Sequence, residues 1–234
     1  MEKKLTNLIS GVCAVLMMWF WPSVTQAQFR SAIDVQEWPK GKIVLTSGDT
    51  LYGSIVLHRT QDVVNLQHSD GSISSFSPVN VEYFIAQEMP SGRSYFFRTL
   101  PWNLGRAYSD FKKPTFFEQL NQGPLTLIMR ETYISRDVSR SGGNFLYDPY
   151  FYPSGSQWVE QVKEQYFVLL PDGEIVSLRN VRRDLHRLFG EKSGQVKDFV
   201  KENRLDYERP HELVAIVNYF NTLSTTAGLS ATSP

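Results

Sequence analysis

Apolar and polar residues alternate along GKIVLTSGDTLYGSIVL, residues 41 to 57, with one interruption at Gly53. Ile43 and Leu45 share one face of a first strand, and Leu51, Ile55 and Leu57 share one face of a second, the period of two that a half-buried strand requires. Gly53 takes the slot between Leu51 and Ile55. A glycine there marks a sharp bend, where a side chain would point into a crowded corner. Shorter runs follow at Val63 to Gln67, Ser72 to Phe76 and Val79 to Ala86, with turn chemistry at Ser47-Gly48-Asp49 and Ser69-Asp70-Gly71. Five such strands predict a small closed β-barrel over residues 41–88.

Residues 89–180 stay strand-rich through SYFFRTL, TFFEQL, LTLIMRETYI, QYFVLLPDG and EIVSLRN, with a hairpin at Pro171-Asp172-Gly173. Between them, 139–158 is too rich in Gly and Pro for regular structure and is expected to be a long loop. From Val181 the period becomes 3.6. Val181, Leu185 and Leu188, then Val196, Phe199 and Val200, then Leu213, Ile216, Val217, Phe220 and Leu223 form three helical stripes within 181–223. Gly190 and Gly194 separate the first two helices, and Pro210 opens the third. The expected class is α+β: an N-terminal five-strand barrel, further antiparallel strands and three C-terminal helices. Residues 224–234, STTAGLSATSP, read as a frayed, disordered tail.

The N-terminus follows different rules. Lys3 and Lys4, an apolar run from Leu8 to Trp21 closed by Pro22, and small residues before Gln28 have the layout of a signal peptide over 1–27, cleaved after Ala27. That run is shorter than the ~20 residues of a membrane span. Residues 28–40 would be a linker. Cleavage removes Cys13, the single cysteine, so disulfides and cysteine metal sites are not expected in the mature chain. It also removes Glu2, Lys3 and Lys4, so 24 basic and 24 acidic residues become 22 and 23, a formal charge of −1. A near-neutral chain has no field to gather nucleic acid or anionic membrane.

The stretches GKIVLTSGDTLYGSI, VEYF at 81–84, GPLTLIMR at 123–130 and VNYFN at 217–221 resemble a widespread family of exported proteins from Gram-negative bacteria. That resemblance implies export to the periplasm or cell surface and a β-rich body ending in helices. It brings no catalytic residues. The opening region also resembles the Sm and SH3-like small barrels, which implies a barrel and nothing about activity.

Motifs for chemistry are sparse. There is no G-x-S-x-G elbow, and Gly142-Gly143 lacks the spacing of a phosphate-cradling loop. His58 and His68 sit too far apart for one ion, because a turn at Thr60-Gln61 pairs His58 with Val63, which puts His68 roughly 17 Å further along at 3.3–3.4 Å per residue. Neither His186 nor His211 starts a helical metal pair. No cofactor or metal is expected. Asp49, Asp62, Asp70, Asp148 and Glu160 could still converge in space.

Two surfaces suggest binding. Phe145, Tyr147, Tyr150, Phe151, Tyr152 and Trp158 crowd the loop, suiting a sugar ring or a protein partner unless they pack internally. Arg179, Arg182, Arg183, His186 and Arg187 lie opposite the apolar stripe of the first helix, either a docking face for an anionic partner or a solvated face. The expected function is a non-catalytic cell-envelope interaction or assembly module with a protein or glycan partner. The alternative is a glycan-binding module or glycan-processing enzyme that uses the aromatic loop.

Overall fold

In the computed structural model, the described residues are 34–106, 110–137 and 158–230. The expected signal peptide and residues 139–157 of the loop lie outside them. The strands are β1 (Val35–Leu45), β2 (Thr50–His58), β3 (Val63–Gln67), β4 (Ile73–Phe76), β5 (Val81–Gln87), β6 (Ser94–Trp102), β7 (Lys113–Gln119), β8 (Thr126–Asp137), β9 (Trp158–Leu169) and β10 (Ile175–Ser177). Helical structure follows in two stretches. Residues 181–202 are broken by a 3-10 turn at Gly190–Lys192 into α1 (Val181–Phe189) and α2 (Ser193–Glu202), and α3 spans Pro210–Ser230. The class is α+β, mostly an antiparallel sheet.

All ten strands belong to one sheet, in the order β10-β9-β8-β7-β6-β5-β1-β2-β3-β4. The closed five-strand barrel expected over 41–88 is therefore not formed. Its strands are present, but β5 has β1 on one edge and β6 on the other, which leaves no edge for β4 to close on. The corner is real and uses two glycines. Gly41 and Gly53 are cross-strand partners, and a Cβ on Gly53 would overlap the carbonyl oxygen of Gln67 on β3. On Gly41 it would overlap the Ile55 side chain and the Ile85 carbonyl.

Three boundaries differ from expectation. β1 begins at Val35, inside the expected 28–40 linker, and buries Trp38. Pro39 conceals this start: it sits at a register shift between Trp38 and Gly41, before β5 joins at Lys40, where a missing N–H is tolerated. β9 begins at Trp158, earlier than the QYFVLL run, because its polar stretch pairs with β8 all the way to Asp137. The expected disordered tail from 224 is helical as far as Ser230. Ser224 Oγ donates to the Phe220 carbonyl at 3.1 Å, so a polar residue here bonds back into the helix.

The core lies on both faces of the sheet. Trp38, Ile43, Ile55, Leu66, Phe84, Phe97 and Phe116 form the cluster inside the bend. Leu127 and Val168 pack with Leu185, Val196, Leu213, Ile216 and Val217 of the helices. Phe117, Ile128, Phe167 and Leu100 form the cluster on the reverse face. Thr115, Phe116, Phe117 and Glu118 are all buried, so β7 is covered on both sides.

Candidate functional site

A groove of about 980 Å³ runs between β9, the end of β10, the start of α1 and the turn that leads into α3. Its aromatic lining is Trp102, Tyr166 and Tyr207; its charged lining is Lys163, Arg179 and Arg182 against Glu164, Asp206 and Glu208. Local capping fixes the arginines. Asn180 accepts from the Arg183 amide at 3.0 Å, and its own N–H donates to Asp184 at 2.8 Å, which sets the first turn of α1. Arg182 projects from that turn to within 5.9 Å of the Tyr207 ring centre. Arg179 and Arg182 are exposed and make no ion pair among the described residues.

The arginine-rich face expected along α1 does not act as one surface. Arg183 and Arg187 approach Asp184 at 3.2 and 3.9 Å, and hydrogen bonding from the Asn180 amide holds the Asp184 carboxyl below its usual range. His186 is half-buried and leaves the docking face altogether. Its ring nitrogens bond Ser193 Oγ at 2.9 Å and the Tyr207 hydroxyl at 2.7 Å, and burial pushes its pKa down. This correction has a simple cause: α2 and the turn before α3 pack over the side of α1 that bears His186. Only Arg179 and Arg182 reach the groove.

Of the aromatic loop, Phe145, Tyr147, Tyr150, Phe151 and Tyr152 lie outside the described residues. The backbone of Trp158 opens β9 opposite Asp137. His58 pairs with Val63 as its turn predicts; its ring bonds Asn65 at 2.9 Å, while His68 bonds Ser74 at 2.9 Å. No group of three or more His, Cys, Asp or Glu among the described residues is placed to hold a metal. No helix among them is long and apolar enough to cross a membrane.

A second cavity, of about 30 Å³, lies where the turn between β2 and β3 meets β8. Arg59 Nε bonds Glu131 at 2.5 Å and its Nη2 bonds Gln36 at 3.0 Å, while Arg130 bonds Asp62 at 3.0 Å and the Phe116 carbonyl at 3.3 Å. Glu118, only 8% exposed, lines the same space, and burial pushes its carboxyl up to about 7. Burial also raises Asp62, against the opposing pull of Arg130 and Lys113. Of the carboxylates named from the sequence, Asp62 lines this cavity, and Asp49 and Asp70 do not. Glu118 and Glu131 were missed, although the alternation in TFFEQL does place Glu118 on the buried Phe116 face.

Comparison of the chain with family models, with curated proteins and with solved structures gives no match.

Proposed function

We propose that this chain is an exported, non-catalytic binding module of the bacterial cell envelope, and that the groove beside α1 is its contact surface. The observation that carries this reading is the meeting of exposed Arg179 and Arg182, which make no ion pair among the described residues, with Tyr207, Tyr166 and Trp102 in one concavity. Arg, Tyr and Trp are the residue types that dominate binding energy at protein contacts. The groove is also at the size of ordinary ligand sites, about 300–1,000 Å³. By contrast, the cavity holding Glu118 and Asp62 has room for about one or two waters and is far too small for a substrate.

A glycan is the second reading, favoured by the balance of the lining. Three cations face three carboxylates, so the groove has no net formal charge to offer an anion. Sugar hydroxyls donate and accept at once, which suits such a mixture beside aromatic rings.

Export is tested by N-terminal analysis of envelope-derived protein: a start at Gln28 is expected, and an intact Met1 in mature material would contradict it. The contact surface is tested by photo-crosslinking in living cells from position 182, with exposed Asp172 as the control. A discrete protein adduct from 182 alone supports the first reading, and a glycan-bearing adduct supports the second. Identical products from both positions, or none from 182, would overturn the assignment.

A further inference from the structure

β7 and β8 are paired over only two rungs, Glu118 with Met129 and Gln119 with Ile128. Beyond Met129 the strands part, and the β2–β3 turn fills the opening with two part-buried ion pairs, Arg59 to Glu131 and Arg130 to Asp62. The curled sheet is thus closed at this point by side chains instead of a ladder. Glu118 is the β7 residue at the fork, and its carboxyl makes no hydrogen bond or ion pair among the described residues. Asp62 Oδ2 is also buried without a hydrogen-bond partner there.

We propose that this seam is a proton-operated latch: with Glu118 protonated the β2–β3 turn stays seated on β8, and loss of that proton loosens the turn from the strand. The mechanism is the cost of an uncompensated charge beside two ion pairs in one small cavity. An ionised Glu118 would need a donor, yet Arg59 is engaged by Glu131 and Gln36, and Arg130 by Asp62 and the Phe116 carbonyl. With both arginines of the seam engaged and Arg93 drawn over the Tyr95 ring, it draws water into the cavity beside the two ion pairs, which weakens the seam. From β9, Glu164 adds to the negative field, with the Tyr166 hydroxyl already donating to it. Arg93, from the turn after β5, attracts Glu118 but is drawn over the Tyr95 ring at 4.6 Å, and Lys113 at the start of β7 acts on Asp62. Burial outweighs these and holds the Glu118 carboxyl near 7, so the change falls close to neutral pH.

Native-state amide hydrogen exchange on the full chain, from pH 5.5 to 8.5 and corrected for intrinsic rates, tests this. Amides of the β2–β3 turn should lose protection by about tenfold or more through pH 7, while those of α3 do not change. Glu118→Gln should abolish that step and keep the turn protected at every pH. If Glu118→Gln does not fold, Glu118→Met, also neutral, serves the same purpose. A flat profile in the unaltered protein, or a step that survives in the neutral variant, would overturn the latch.

Discussion

Gly53 spares the fold a clash, whereas Glu118 imposes a cost on it. At Gly53 the obstacle is backbone, the Gln67 carbonyl, which cannot rotate aside as a side chain can. Gly53→Val should therefore destabilise the fold by at least ~1 kcal/mol, read from chemical denaturation; unchanged stability would mean that β2 bends elsewhere. At Glu118 the cost depends on pH. The unfolded carboxyl ionises near 4.5 and the folded one near 7, so the native state holds the extra proton between those values. Stability contributed by this residue is full below pH 4.5 and declines as pH rises towards 7. The interval from 4.5 to about 7, at 1.36 kcal/mol per pH unit, amounts to about 3 kcal/mol. Glu118→Gln should gain up to that amount at pH 8 and nothing at pH 4, with a flatter profile between. A variant equally destabilised at both pH values would refute this account of the site.

At the scale of elements, the joint between sheet and helices rests on asparagines. Asn221 in α3 accepts from the Leu125 amide at 3.0 Å and donates to the Leu125 carbonyl at 2.8 Å, which satisfies the backbone just before β8. Asn121 bonds Asn218 at 2.9 Å and the Leu127 amide at 2.6 Å. Gly123, at φ 142°, leaves the space that the Asn221 amide occupies. The stretches GPLTLIMR and VNYFN, separated by nearly a hundred residues, are thus two halves of one contact. Asn221→Ala strands the buried Leu125 N–H and leaves its carbonyl only the longer bond from Asn121 at 3.3 Å, for which about 1–3 kcal/mol of destabilisation is expected. A loss below ~1 kcal/mol, measured by thermal or chemical unfolding, would show that the joint is held by apolar packing alone.

Those motifs were legible as strings but not as partners. Local chemistry carried most of the strands: turn residues, alternation and the helical stripes are all properties of neighbours in sequence. What did not show is anything fixed by long-range pairing. β4 fails to meet β5 because β6 takes the edge, and nothing within residues 41–88 announces that competitor. Arg59 and Glu131 are brought together by the curl of the sheet, and His186 is turned inward by Tyr207 and Ser193, both of which arrive later in the chain. The groove was half visible. Arg179 and Arg182 stood out as part of a charge run, whereas Lys163, Tyr166 and Tyr207 carried no site signal in their strand and turn segments.

For the molecule as a whole, the central claim is that the groove binds an envelope component and that Arg179 and Arg182 anchor it. Both side chains are exposed at the start of α1 and carry no ion pair that their loss would break among the described residues, so folding should not depend on them. The most direct measurement compares the full chain with its Arg179→Glu/Arg182→Glu variant for binding to isolated Gram-negative envelope, alongside their melting temperatures. The account predicts the same melting temperature and about five- to thirtyfold weaker binding, the loss expected from removing contacts worth about 1–2 kcal/mol. Equal binding by a variant of unchanged stability would contradict it.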